Sequence, residues 1–185
     1  MSDYRIEQYN EVKKEIASAL ASAGRAPDGA ELIAVSKTFP ASDILAVYNA
    51  GQRRFGESKA DELAAKAAAL PGDIEWHFIG HLQSNKVRSV VAHAHVIHSV
   101  DSAKLLERIE RIAGEEHVQV EALLEVNISG EASKFGLTPE AAEELARQSI
   151  GMHNVKVTGF MTMAPEGAGE DELIRVFSGL KKLAD

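Results

Sequence analysis

Apolar residues Ile6, Tyr9, Val12, Ile16 and Leu20 recur at three- and four-residue steps between residues 3 and 23, the spacing that turns one face of a helix toward a core. Gly24 follows in the position of a left-handed helix stop. The next apolar run, Leu32-Ile33-Ala34-Val35, is too short for a helix and breaks off in Ser36-Lys37-Thr38. A continuous run of that length suits a strand buried on both faces of a parallel sheet.

The same unit then repeats. Strands are expected at residues 54–55, 74–79, 96–100, 118–126 and 155–160, with helices at 42–50, 59–70, 85–92, 102–113, 138–150 and 170–183. Gly51, Pro71-Gly72 and Gly114 supply stops. Thr138-Pro139-Glu140 supplies an N-cap, a first-turn proline and an acidic first turn. Six β/α units behind one leading helix, joined by short connections, imply a parallel sheet with right-handed crossovers. Periodicity alone leaves an open doubly wound sheet and a barrel as alternatives.

In both architectures ligands collect at the carboxyl ends of the strands. The residues there are Ser36-Lys37-Thr38, Gly56-Glu57-Ser58, Gly80 to Lys86, Ser99 and Asp101, Asn127-Ile128-Ser129, and Met161-Thr162-Met163. Lys37 stands out, because an amine at the end of a doubly buried strand is partly desolvated and a neutral amine can attack an aldehyde. A lysine in that place more often only marks where a strand meets water. His81, after Gly80, is placed to stack on a planar ligand, though a polar loop residue is the commoner case. His93, His95 and His98 invite a metal reading but lack a carboxylate at useful spacing, so a structural or surface role is expected and no metal site. The alanine-rich run through residues 59–70 reads as a strong helix former.

Composition narrows the classes further. With 20 Lys and Arg against 28 Asp and Glu, the net charge of -8 argues against nucleic acid and anionic membranes as partners. No cysteine is present, which excludes disulfides, thiol nucleophiles and Cys-based zinc sites. No apolar stretch has signal-peptide or membrane-span character, so a cytoplasmic protein is expected. The 185 residues suggest one domain over 1–185. A closed (β/α)8 barrel usually takes about 250 residues and about 200 at the low end, so a barrel of this length is expected to run out before the ring closes.

The strand-end segments resemble the pyridoxal phosphate (PLP) homeostasis proteins, single-domain relatives of the N-terminal barrel of alanine racemase. The matching segments are Ala34-Val35-Ser36-Lys37-Thr38, Phe55-Gly56-Glu57, Trp76-His77-Phe78-Ile79-Gly80-His81-Leu82-Gln83-Ser84-Asn85-Lys86, Glu125-Val126-Asn127-Ile128, Ser133-Lys134-Phe135-Gly136-Leu137 and Gly159-Phe160-Met161-Thr162-Met163-Ala164-Pro165. The resemblance implies an α/β fold, a (β/α)8 TIM-type barrel, with PLP bound as a Schiff base on Lys37. It implies that His81 and Met161, with Ser58 and Asn127 at the same mouth, are cofactor-binding. Ser58 stands where the family usually has asparagine, so its contact with the cofactor is expected to differ. Family members continue into Ser-Met-Gly-Met-Ser and Gly-Ser/Thr-x-x-Val-Arg-Ile-Gly segments that grip the phosphate. Neither occurs here, and the expectation is a chain lacking the seventh and eighth strands.

The function so implied is intracellular PLP homeostasis and delivery without substrate turnover, with PLP-dependent apo-enzymes as recipients and a monomer or weak homodimer as the assembly. The alternative is a PLP-dependent amino-acid racemase. Racemisation needs two positioned acid/base groups, and Tyr4, Tyr9 and Tyr48 fall in predicted helices rather than at the mouth, which favours the carrier. Lys134, in the loop after the fifth strand, is a candidate for transient PLP transfer, against the commoner solvated lysine.

Overall fold

The computed structural model describes residues 2–130 and 135–185. Six strands, β1 (Ala34–Val35), β2 (Arg54–Glu57), β3 (Glu75–Phe78), β4 (Val96–Val100), β5 (Val120–Glu125) and β6 (Val155–Met161), form one sheet, every neighbouring pair parallel. Helix α1 (Ser2–Ser22) precedes them. The crossovers run through α2 (Ala41–Asn49), α3 (Ala60–Ala69), a 3-10 turn at Ser84–Lys86 entering α4 (Val87–Val91), α5 (Ala103–Glu116) and α6 (Pro139–Gln148), and α7 (Glu170–Ala184) follows β6.

Strand order follows chain order from β1 to β6 without a reversal. A doubly wound sheet reverses its order at a switch point, whereas a barrel adds each strand beside the last. The alternative left open by periodicity is therefore decided for the barrel arrangement.

The register sorts the side chains into two faces. Phe78, Ile97, Ala122 and Val157 align in one row, and Gly56, His77, Val96, Glu121 and Lys156 in the adjacent one. Neighbouring rows point to opposite sides of a sheet. The first row joins Phe55, Leu63, Leu106, Ile109 and Leu124 in the buried core between sheet and helices. The second row, carrying charged and imidazole groups, lies on the opposite face.

Of the boundaries that differ from the sequence reading, two have a clear physical cause. Helix α5 runs through Gly114 to Glu116 and ends at His117 in a left-handed conformation, φ 56°. Gly114 serves packing, since a Cβ there would lie 3.0 Å from the Asn154 amide nitrogen. Strand β1 has only two residues and pairs with β2 alone, so Val35 is 48% exposed and not buried on both faces. By contrast the Thr138 cap stands as expected, its hydroxyl accepting the Ala141 N–H at 3.2 Å ahead of Pro139. Among the described residues no helix is long and apolar enough to cross a membrane.

Candidate functional site

Lys37 directly follows the β1 segment and Ser36, and its side chain is exposed. The desolvation expected for it does not occur, because β1 lies at an edge of the sheet. Its amine has no hydrogen-bond or ion-pair partner among the described residues, while the residue before it is buried. An unpartnered primary amine on an anchored segment is open to an incoming ligand.

Ser58 follows β2 and His81 follows β3, and both line a groove of about 540 Å³ together with Gly80, Leu82, Gln83 and Lys86. Gly80 makes their approach possible: a Cβ there would lie 2.1 Å from the Ser58 carbonyl oxygen. The His81 ring stacks on Phe135 with centroids 4.5 Å apart and planes at 25°. Its Nδ1 lies 3.6 Å from Asp101 Oδ2, after β4. Glu125, at the end of β5, is buried beside the same pair. Burial pushes its carboxyl above the usual range, the Asp101 charge adds to this, and His81 opposes it.

Met161 ends β6 and is in register with Glu125, and its carbonyl accepts the Val126 N–H at 2.8 Å. The next residue, Thr162, donates its hydroxyl to the Val126 carbonyl at 2.8 Å. Asn127 Oδ1 accepts from the Ser129 hydroxyl at 3.1 Å and from the Gly130 N–H at 3.0 Å, shaping the loop after β5. The structure thus sets Ser58, His81, Asp101, Glu125, Met161 and Asn127 along one arc of strand ends, with Lys37 at the β1 end of it. Lys37, Asn127 and Met161 do not line the Ser58–His81 groove. Lys134 lies outside the described residues.

The histidines resolve differently. His95 Nδ1 accepts the Trp76 N–H at 3.1 Å, and His98 Nε2 lies 2.8 Å from His77 Nδ1. No metal-binding group of three His or carboxylate residues occurs among the described residues. The three tyrosines stand in α1 and α2.

The family defined by the alanine racemase N-terminal domain matches residues 12–182. A pyridoxal phosphate homeostasis protein of Aquifex aeolicus is 37% identical over 180 residues, spanning 97% of this chain and 79% of the relative. The chain belongs to the pyridoxal phosphate homeostasis protein family. A crystal structure described as an unknown protein from Bifidobacterium adolescentis superposes on this member of the family with a TM-score of 0.93 at 34% identity, covering 98% of this chain and 78% of that one. PipY of Synechococcus elongatus PCC7942, solved with PLP bound, gives 0.79 at 40% identity, over 91% and 80% of the two chains. The architecture is that of the alanine racemase N-terminal domain, a parallel β/α sheet corresponding to part of a TIM barrel.

Within that frame the residues fit an aldehyde-bearing aromatic cofactor. An unpartnered amine, an imidazole, a hydroxyl and a buried carboxylate stand at strand ends, and the close approach of Gly80 to the Ser58 backbone brings the hydroxyl and the imidazole to one groove. Sequence reasoning placed Glu57 among the strand-end residues without giving it a role and missed Lys66. Glu57 is wholly buried, and Lys66, inside the alanine-rich helix α3, reaches it at 2.7 Å. The available signal was Glu62 four residues before Lys66, a helical ion-pair spacing beside a strand-end glutamate.

Proposed function

We propose that this protein binds pyridoxal 5'-phosphate through a Schiff base on Lys37 and serves intracellular PLP homeostasis, releasing the cofactor to PLP-dependent apo-enzymes. The observation that carries the reading is the Lys37 amine, exposed and unpartnered beside anchored neighbours. PLP supplies an electrophilic aldehyde carbon, which a lysine amine attacks with loss of water. His81, Ser58, Asn127 and Met161 would hold and orient the ring from the strand ends, the His81 ring being set by Phe135 and Asp101. Glu125 brings a carboxyl of raised proton affinity to the same end of the sheet. Lys134 is the candidate for transient PLP transfer during release, tested by the rate of PLP transfer to an apo-enzyme from Lys134→Ala.

The carrier reading is preferred to a racemase because no tyrosine is at the strand ends to act as a second acid/base group. Tyr9 donates its hydroxyl to Gln52 at 3.1 Å and Tyr48 to Asp73 at 2.6 Å, both among the helices. The test is borohydride reduction of the PLP-treated protein followed by peptide mass spectrometry. The expected result is added PLP mass on the Lys37 peptide, absent in Lys37→Ala, with no change in optical rotation of L-alanine. Turnover of L-alanine that disappears in Lys37→Ala would establish the racemase instead.

A further inference from the structure

The backbone on both sides of Lys37 is tied down by three charged residues. The Phe39 N–H donates to the Ser36 carbonyl at 3.1 Å, closing a turn with Lys37 in the second position and Thr38 in the third. Thr38 has φ 68°. A positive φ in the third position of a turn is ordinarily taken by glycine, and a β-branched residue resists it. This turn therefore needs support from outside itself.

Two side chains of α3 and one of β2 supply it. Lys66 Nζ donates to the Ser36 carbonyl at 2.9 Å, to Glu57 Oε1 at 2.7 Å and to Glu62 Oε2 at 3.4 Å. Glu57 Oε1 also accepts the Ser36 hydroxyl at 2.7 Å. Glu62 Oε2 accepts the Thr38 N–H at 3.0 Å. That N–H, with Lys59 and Lys66, holds the Glu62 carboxyl down at about 2, so it stays ionised at neutral pH. An ion pair serving only to fasten α3 to β2 would not need to reach the backbone of a third element. Here it meets the residue before Lys37 and the residue after it.

We infer that Glu57, Lys66 and Glu62 form a clamp that positions Lys37 for PLP, making them positioning residues for the cofactor-binding step. The inference rests on the reading of Lys37 as the PLP lysine. The clamp holds the left-handed turn closed and thereby fixes the direction in which the amine projects, while leaving the amine itself unpartnered.

Glu62 is partly exposed, so Glu62→Ala is the variant that folds most safely, with Glu62→Gln as its conservative rescue because an amide oxygen can accept the same N–H. Two measurements decide the matter. In the PLP-free protein, amide hydrogen exchange at Thr38 and Phe39 is expected to quicken about tenfold in Glu62→Ala and to return toward wild type in Glu62→Gln. With PLP added, borohydride-trapped mass on Lys37 is expected to accumulate about tenfold more slowly in Glu62→Ala and in Lys66→Met, again with rescue in Glu62→Gln. Unchanged exchange overturns the clamp. An unchanged rate of Lys37 labelling in Glu62→Ala overturns the positioning role while leaving the cofactor reading intact. A wild-type protein that never labels at Lys37 overturns the cofactor reading and the positioning role with it.

Discussion

His77 and His98 meet on one face of the sheet, Nδ1 of the first 2.8 Å from Nε2 of the second, with the rings crossed at 61°. One proton suffices for that bond. His77 Nε2 is buried without a hydrogen-bond partner among the described residues, so a second proton on His77 would sit on an unpaired, desolvated cation. Burial holds His77 at about 4, with the His98, Arg54 and His95 charges adding to the effect, and burial also lowers His98.

A pH dependence follows, with its sign fixed by the direction of these shifts. Both groups are neutral above the unfolded value of 6.5, and the native state takes up its proton only near 4 at His77. Between those limits the unfolded chain binds more protons, so stability falls as pH drops from 6.5 toward 4. The expected contribution of His77 is about 1–3 kcal/mol, the lower figure allowing for solvent screening. Urea unfolding of wild type and His77→Gln at pH 7 and pH 4.5 checks it. The variant should lose less stability across that interval, and parallel losses would remove His77 as the source.

Glu110 of α5 collects three successive amides where the chain enters β6. Its carboxylate accepts the N–H groups of His153 and Asn154, each at 3.0 Å, and of Val155 at 2.7 Å, plus the Asn154 side-chain amide at 2.9 Å. Burial alone would raise its proton affinity, but these four donors together lower it. Its stabilising effect is therefore present above about 4.5 and lost as pH falls below that. Glu110→Ala should cost about 2–3 kcal/mol at pH 7. Glu110→Gln should cost less at pH 7 and flatten the acid limb of the denaturation curve.

Gly80 tests the approach of the β2 and β3 ends. A methyl group there meets the Ser58 carbonyl oxygen at 2.1 Å and the Ser58 Cα at 2.8 Å, both backbone atoms that cannot swing aside. Gly80→Ala should therefore destabilise by about 1–3 kcal/mol. It should also separate Ser58 from His81 and weaken PLP uptake, measured by titrating the bound-cofactor absorbance. A variant matching wild type in both would show that the two loops are not held by this contact.

The legible part of this architecture was the part written locally. Apolar runs and helix periodicity placed each strand and α-helix to within a few residues, and the strand-end segments contain Lys37, Ser58, His81, Asn127 and Met161, whose cofactor roles come from the family resemblance. Barrel and doubly wound sheet share that local pattern, so only the observed pairing order separated them. Lys66 escaped notice because a lysine in an alanine-rich helix reads as a solvated position. Its burial depends on Glu57 arriving from strand β2, 9 residues away in sequence. Exposure of Lys37 was misjudged for a related reason, since whether β1 is central or an edge is a property of the assembled sheet. His77 was read only as part of a motif, and its partner His98 lies 21 residues further on.

Glu125 bears on both stability and the site. It is 8% exposed, and its carboxyl is raised by burial and by Asp101, with His81 acting the other way. The native state therefore holds a proton more tightly than the unfolded chain, so this residue supports folding most at low pH and progressively less as pH rises through its native value. At neutral pH an ionised Glu125 costs stability. Replacing it with glutamine keeps the shape and removes the charge, while the backbone bond from the Leu137 N–H to the Glu125 carbonyl, 2.8 Å, is unaffected. Glu125→Gln should raise Tm at pH 7, and the difference should shrink as pH falls toward 4. An equal or lower Tm at pH 7 would show that Glu125 is not charged against its surroundings.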